Sequence, residues 1–209
     1  MSYLSSISIK EQLALRIASE TQKQMDSILE RIQQIAKEFK IAEKDKRSPF
    51  RNVLAVAVES TASLEIIKNY IRYQVGRGNN SSPIWILKQN KKLFAEALVE
   101  ALDALRQDAE EILKRIEEAC EEAQKQNKSN EVEAEQETLL KYLQNSKNQA
   151  MLQRDLHLEL ARLYLGYLAR EHTALVGEQK ENPKTETHDE KQKASKTVHG
   201  TPNQPTISK

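Results

Sequence analysis

Residues 84–165 contain neither glycine nor proline, and neither do residues 1–48. Within these runs, apolar residues recur at steps of three and four. The first carries Met25, Ile28, Leu29, Ile32, Ile35, Ala36 and Phe39, and the second carries Ile84, Leu87, Phe94, Leu98, Ala101, Leu102, Leu105, Ala109, Ile112 and Ile116. A stripe with that period lies along one face of a helix and needs another apolar face to cover it. The spacing predicts an all-α protein, a four- or five-helix antiparallel bundle with one or two helices long enough to project.

The punctuation sets the expected boundaries. A first helix spans about Ser8–Phe39, followed by the charged connector "KIAEKDKRSP". Ser48 and Pro49 read as an N-cap and a first-turn proline. The helix they open carries Phe50, Val53, Leu54, Ala57 and Val58. It breaks at "ESTAS" and resumes through "LEIIKNYIRYQV" until Gly76 and Gly78 end it. After the loop "GNNSSP", a long helix is expected from about Pro83. It decays past Ala119 into the polar, acidic "EEAQKQNKSNEVEAEQE", which reads as a helical extension or a connection. A last helix spans about Glu137–Thr173. Residues 1–176 form the bundle domain in this reading. The segment 177–209 has too few apolar residues to offset the entropy of ordering, and reads as a disordered tail.

Several chemistries lack their residues. One cysteine, Cys120, allows no intramolecular disulfide and no multi-cysteine zinc site. It sits among carboxylates and reads as a packing residue. The histidines, His157, His172, His188 and His199, form neither HExxH nor ExxH. "VGRGNN" is no Walker loop, and no spacing singles out an acid–base pair among Asp103, Asp108, Glu110 and Glu111. The expectation is no catalytic residue, no metal and no cofactor. No apolar run approaches a membrane span and "MSYLSSISIKEQ" is not a secretory signal, so a cytoplasmic protein is expected.

Charge is arranged in blocks although the net charge is +1. From Lys68 to Lys92 there are six bases, Lys68, Arg72, Arg77, Lys88, Lys91 and Lys92, and no acid. From Ala95 to Glu137 there are fourteen acids and five bases. One reading has the two blocks attract each other, within the chain or between copies. The other has the basic block meet a polyanion, with Lys68 and Arg72 on one helix face beside Tyr73 and Arg77 as a glycine-flanked guanidinium fork. Lys88, Lys91 and Lys92 would then sit one turn apart on the next helix. Such a strip follows backbone charge and carries no base-reading code. Trp85 is a stacking platform or, next to Ile84 and Leu87, a core residue.

Through "RNVLAVAVESTASLEIIKNYIRYQVGR" the chain resembles the small helical subunit of type III CRISPR effector complexes, the Csm and Cmr small-subunit group. Arg51-Asn52-Val53-Leu54 and Tyr73-Gln74-Val75-Gly76-Arg77 carry the likeness, with Tyr70 and Arg72 beside them, over about residues 48–115. The long first helix, the acidic segment and the tail depart from a minimal small subunit. The resemblance implies a non-catalytic role in antiviral defence. Copies would stack on one another, head to tail as the charge blocks allow, beside other effector subunits, and contact the backbone of a guide–target RNA duplex through Arg51 and the basic block. The alternative is a helical protein–protein scaffold that binds no nucleic acid. Salt dependence of RNA binding separates the two.

Overall fold

The computed structural model describes the backbone of residues 8–43, 48–59, 63–126 and 130–181; the side chains of 126–136, 180 and 181 lie outside it. Among these residues there are six α-helices and one small sheet. In order they are α1 (Ile9–Glu38), α2 (Phe50–Glu59), α3 (Leu64–Gly76), strands β1 (Lys88–Gln89) and β2 (Lys92–Leu93), α4 (Phe94–Gln126), α5 (Asn130–Gln144) and α6 (Ser146–Glu181). The protein is all-α. Residues 1–176 form one compact unit and 177–209 a second, of which only the end of α6 is described. Helix α6 thus continues past Gly177, where the tail was expected to begin, and residues 182–209 lie outside the described set.

Both ends of α1 are fixed by local chemistry. The Ser8 hydroxyl accepts from the Glu11 amide at 3.3 Å, and the Glu11 carboxylate accepts from the Ser8 amide at 2.9 Å, a reciprocal capping box. At the other end Lys40 adopts φ 48°, its amide donates to Lys37 and the Ile41 amide donates to Ala36, each at 3.2 Å. That is a Schellman closure with lysine where glycine is the low-strain choice. Ile41 and Ala42 are buried, so the start of the expected connector belongs to the core.

Side-chain pairing gives the helix directions. Glu20 and Gln24 meet Arg115, while Gln24 and Arg31 meet Asp108, so α1 and α4 are antiparallel. Gln153 meets Glu110 and His157 meets the Leu102 carbonyl, so α6 also runs against α4. The stripe of α4, from Phe94 to Cys120, is buried. Phe50 of α2 stands edge-on to Trp85 at 5.9 Å and His172 at 5.7 Å, and is tilted against Phe94 at 5.8 Å. This ring cluster joins α2, the segment before the sheet, α4 and α6. Trp85 is therefore a core residue, not a stacking platform.

Two elements differ from the sequence reading. The helix expected from Pro83 starts only at Phe94. Residues Pro83–Ile86 make a 3₁₀ turn, and 88–93 form a hairpin pairing Lys88 with Leu93 and Gln89 with Lys92. Asn90 and Lys91 have φ of 51° and 68°, the two left-handed residues that a tight hairpin turn requires. The expected last helix is split at Asn145. Its side-chain oxygen accepts from the amides of Lys147 at 3.1 Å and Asn148 at 3.3 Å, capping α6 and ending α5.

Candidate nucleic-acid interface

Lys68 and Arg72 lie on one face of α3, as their spacing requires, but that face turns toward α4. Lys68 is only 8% exposed. Its ammonium donates to Glu65 at 2.5 Å and to Asp103 at 2.8 Å. Burial pulls its pKa down, but the hydrogen bonds and charges of Asp103 and Glu65 outweigh that and hold the ammonium above its usual range. Lys68 is thus an internal ion-pair member, and its expected place in a phosphate-binding strip is corrected. Glu65, three residues before it, is a partner within helical reach, but nothing in the sequence pointed to Asp103, 35 positions away.

Lys92 is likewise taken up by Glu100. Lys88, Lys91 and Lys92 are not on successive helical positions, as expected, but on the hairpin and its turn. Arg72 is exposed and shares a cleft of about 350 Å3 with Val75, Leu93, Glu96 and Glu100. The Glu96 carboxylate also accepts from the Leu93 amide at 3.0 Å and so closes the first turn of α4. The first acids of the acidic block therefore fold back on the basic block, which is the intrachain attraction that the charge pattern allowed.

What remains open is smaller and better defined. Among the described residues, Arg72, Lys88 and Lys91 are exposed and make no ion pair. Tyr73 is 58% exposed, and the Arg77 guanidinium lies 5.8 Å from its ring centroid. Arg77 caps α3 and precedes Gly78, whose φ of 52° is left-handed. The loop behind it is held by the Ser81 hydroxyl, which donates at 2.7 Å to the buried Gln74 side chain. Leu93 shares the Arg72 cleft, so the hairpin base and the last turns of α3 form one surface. Arg51 is exposed on α2 and does not line the Arg72 cleft.

Sequence reasoning missed a second charged cleft, of about 360 Å3, where Arg106 of α4 and Arg154 and His157 of α6 meet Ser63, Lys68 and Asp103. Its residues come from three helices, and only the fold brings them together. Between α1 and α6 lies an apolar cleft of about 680 Å3 lined by Ile17, Met25, Leu152, Leu156, Leu163 and Tyr167, among others. Among the described residues no three His, Cys, Asp or Glu converge as a metal site, and no helix is long and apolar enough to cross a membrane.

The fold and this surface define a helical bundle bearing a basic hairpin. No protein-family model, curated protein or solved structure matches the chain.

Proposed function

We propose that the protein is a non-catalytic, nucleic-acid-binding structural subunit of a cytoplasmic ribonucleoprotein, of the kind the type III CRISPR small subunit represents. It holds RNA by its backbone. The observation that carries this reading is the set Arg72, Arg77, Lys88 and Lys91, which stays exposed and makes no ion pair among the described residues after Lys68 and Lys92 have been drawn into the fold. Guanidinium and ammonium groups left free in this way suit phosphate oxygens. They specify no sequence, because phosphate contacts position a strand without reading it.

The test is the affinity of the purified chain for mixed-sequence RNA across a salt series from about 50 to 200 mM. A steep fall in affinity with salt is expected. Absence of binding at the low-salt end, alone and with effector subunits, would remove the reading. The second reading, a protein scaffold, is favoured by the apolar cleft between α1 and α6, which offers a seat for an amphipathic helix.

A further inference from the structure

We infer that Tyr73 stacks on an unpaired base, so that the basic surface takes single-stranded rather than duplex nucleic acid. This rests on the nucleic-acid reading above and adds a substrate class to it. Tyr73 is the one exposed aromatic among the described residues. Of the other described rings, Phe39, Phe50, Trp85, Phe94 and Tyr164 are buried, and Tyr70, Tyr142 and Tyr167 are half-buried. Tyr73 is thus the most exposed ring among the described residues, and it stands next to the exposed Arg72 and beneath Arg77.

The geometry around the ring suits a base. Arg77 stands over the ring at 5.8 Å, and the Tyr70 ring lies alongside at 6.2 Å, inclined by 46°. A base sandwiched between ring and guanidinium needs two stacking intervals, about 7 Å. Arg77 thus has to withdraw by about 1 Å to admit one. Arg77 is exposed, so its guanidinium has room to make that shift while its backbone stays in place as the α3 cap. A guanidinium above a base and a phenol below it bind any base, because every base has a π-face. Arg72, Lys88 and Lys91 would hold the phosphates on either side. Duplex bases are already stacked on each other and present only edges, so a duplex gains nothing from Tyr73.

The experiment uses the full chain with labelled RNA: a single strand of about ten nucleotides, within the usual footprint of a single-strand binder, and a duplex of the same strand. Tyr73→Ala is expected to weaken single-strand binding about tenfold, with the salt slope unchanged because no phosphate contact is lost. Tyr73→Phe keeps the stacking face and should bind within about twofold of wild type. Duplex affinity should be the same for all three proteins. A single strand carrying abasic sites should bind wild type as weakly as the intact strand binds Tyr73→Ala, a readout that needs no variant to fold. The inference is overturned if Tyr73→Ala binds the single strand like wild type, if it loses single strand and duplex equally, or if abasic sites are silent. If the wild-type chain binds neither RNA, the nucleic-acid reading itself falls and this inference with it.

Discussion

Arg31 and Asp108 are locked across the bundle. One guanidinium nitrogen of Arg31 lies 2.8 and 2.7 Å from the two carboxylate oxygens of Asp108, which is 6% exposed. Gln24 donates to the same carboxylate at 2.7 Å, and Arg115 extends the network to Gln24 and Glu20. The pair fixes the antiparallel register of α1 and α4. Replacing Asp108 by Ala leaves Arg31 and Gln24 without their shared acceptor, at a cost of about 2–3 kcal/mol, less than for a fully buried pair because Arg31 reaches solvent. The double variant Arg31→Met, Asp108→Leu should recover most of that loss. Urea denaturation of the two proteins measures it, and equal destabilisation of both would mean the pair does not act as a unit.

Phe50 should be the most costly ring to remove. It is fully buried and touches Trp85, Phe94 and His172, so Phe50→Ala opens a cavity where α2, α4 and α6 meet. A loss of about 3–5 kcal/mol is expected in the same denaturation assay. The exposed Val58 of the same helix, changed to Ala, should cost under about 0.5 kcal/mol.

Cys120 is buried on the α4 stripe. Desolvation raises its thiol pKa; Arg16 opposes this and Glu117 adds to it. The folded thiol therefore stays protonated where an unfolded one would begin to ionise. Stability from this group is complete below the unfolded pKa and declines as pH rises toward the folded one. At about pH 8.5, the unperturbed thiol value, a thiol-reactive dye should label the native chain far more slowly than the urea-unfolded chain. Comparable rates in both states would place Cys120 at the surface.

The helical stripes were legible because a period of three to four survives every local accident of sequence. The hairpin was not. Its turn places two left-handed residues at Asn90 and Lys91, and lysine at the second position disguises a turn that Asn-Gly would announce. The division between α5 and α6 was hidden in the same way, because a single capping asparagine, Asn145, interrupts an otherwise continuous apolar pattern. At the candidate site, residue identity foretold charge but not pairing. Whether Lys68 meets solvent or Asp103 depends on how α3 packs on α4, which no local spacing encodes.

Lys68 therefore serves as a control. Lys68→Met should destabilise the chain by no more than about 1 kcal/mol, because Glu65 and Asp103 lose an ion-pair partner but stay hydrated. At temperatures where it is fully folded, it should bind RNA with the wild-type salt slope, since its charge is already neutralised inside the fold. A shallower slope would return Lys68 to the phosphate-contacting set.

Lys40 and Lys91 share an unusual backbone state, with φ of 48° and 68°, and this separates structure from function. At Lys40 the left-handed residue completes the Schellman turn of α1, and Lys40→Gly should stabilise by about 0.5–1 kcal/mol. At Lys91, glycine should relieve the same strain and raise the melting temperature by a similar small step. It also removes an exposed cation that has no ion-pair partner among the described residues. Lys91→Gly is thus expected to be at least as stable as wild type and to bind RNA about two- to fivefold more weakly. Its salt slope should be shallower by about 0.7 for a single strand. Lys91→Ala keeps the strain and loses the charge, so it should show the same binding defect without the gain in stability. Melting curves and a salt titration on the three proteins decide the matter. If both variants bind like wild type, Lys91 contacts no phosphate and the hairpin is only a turn.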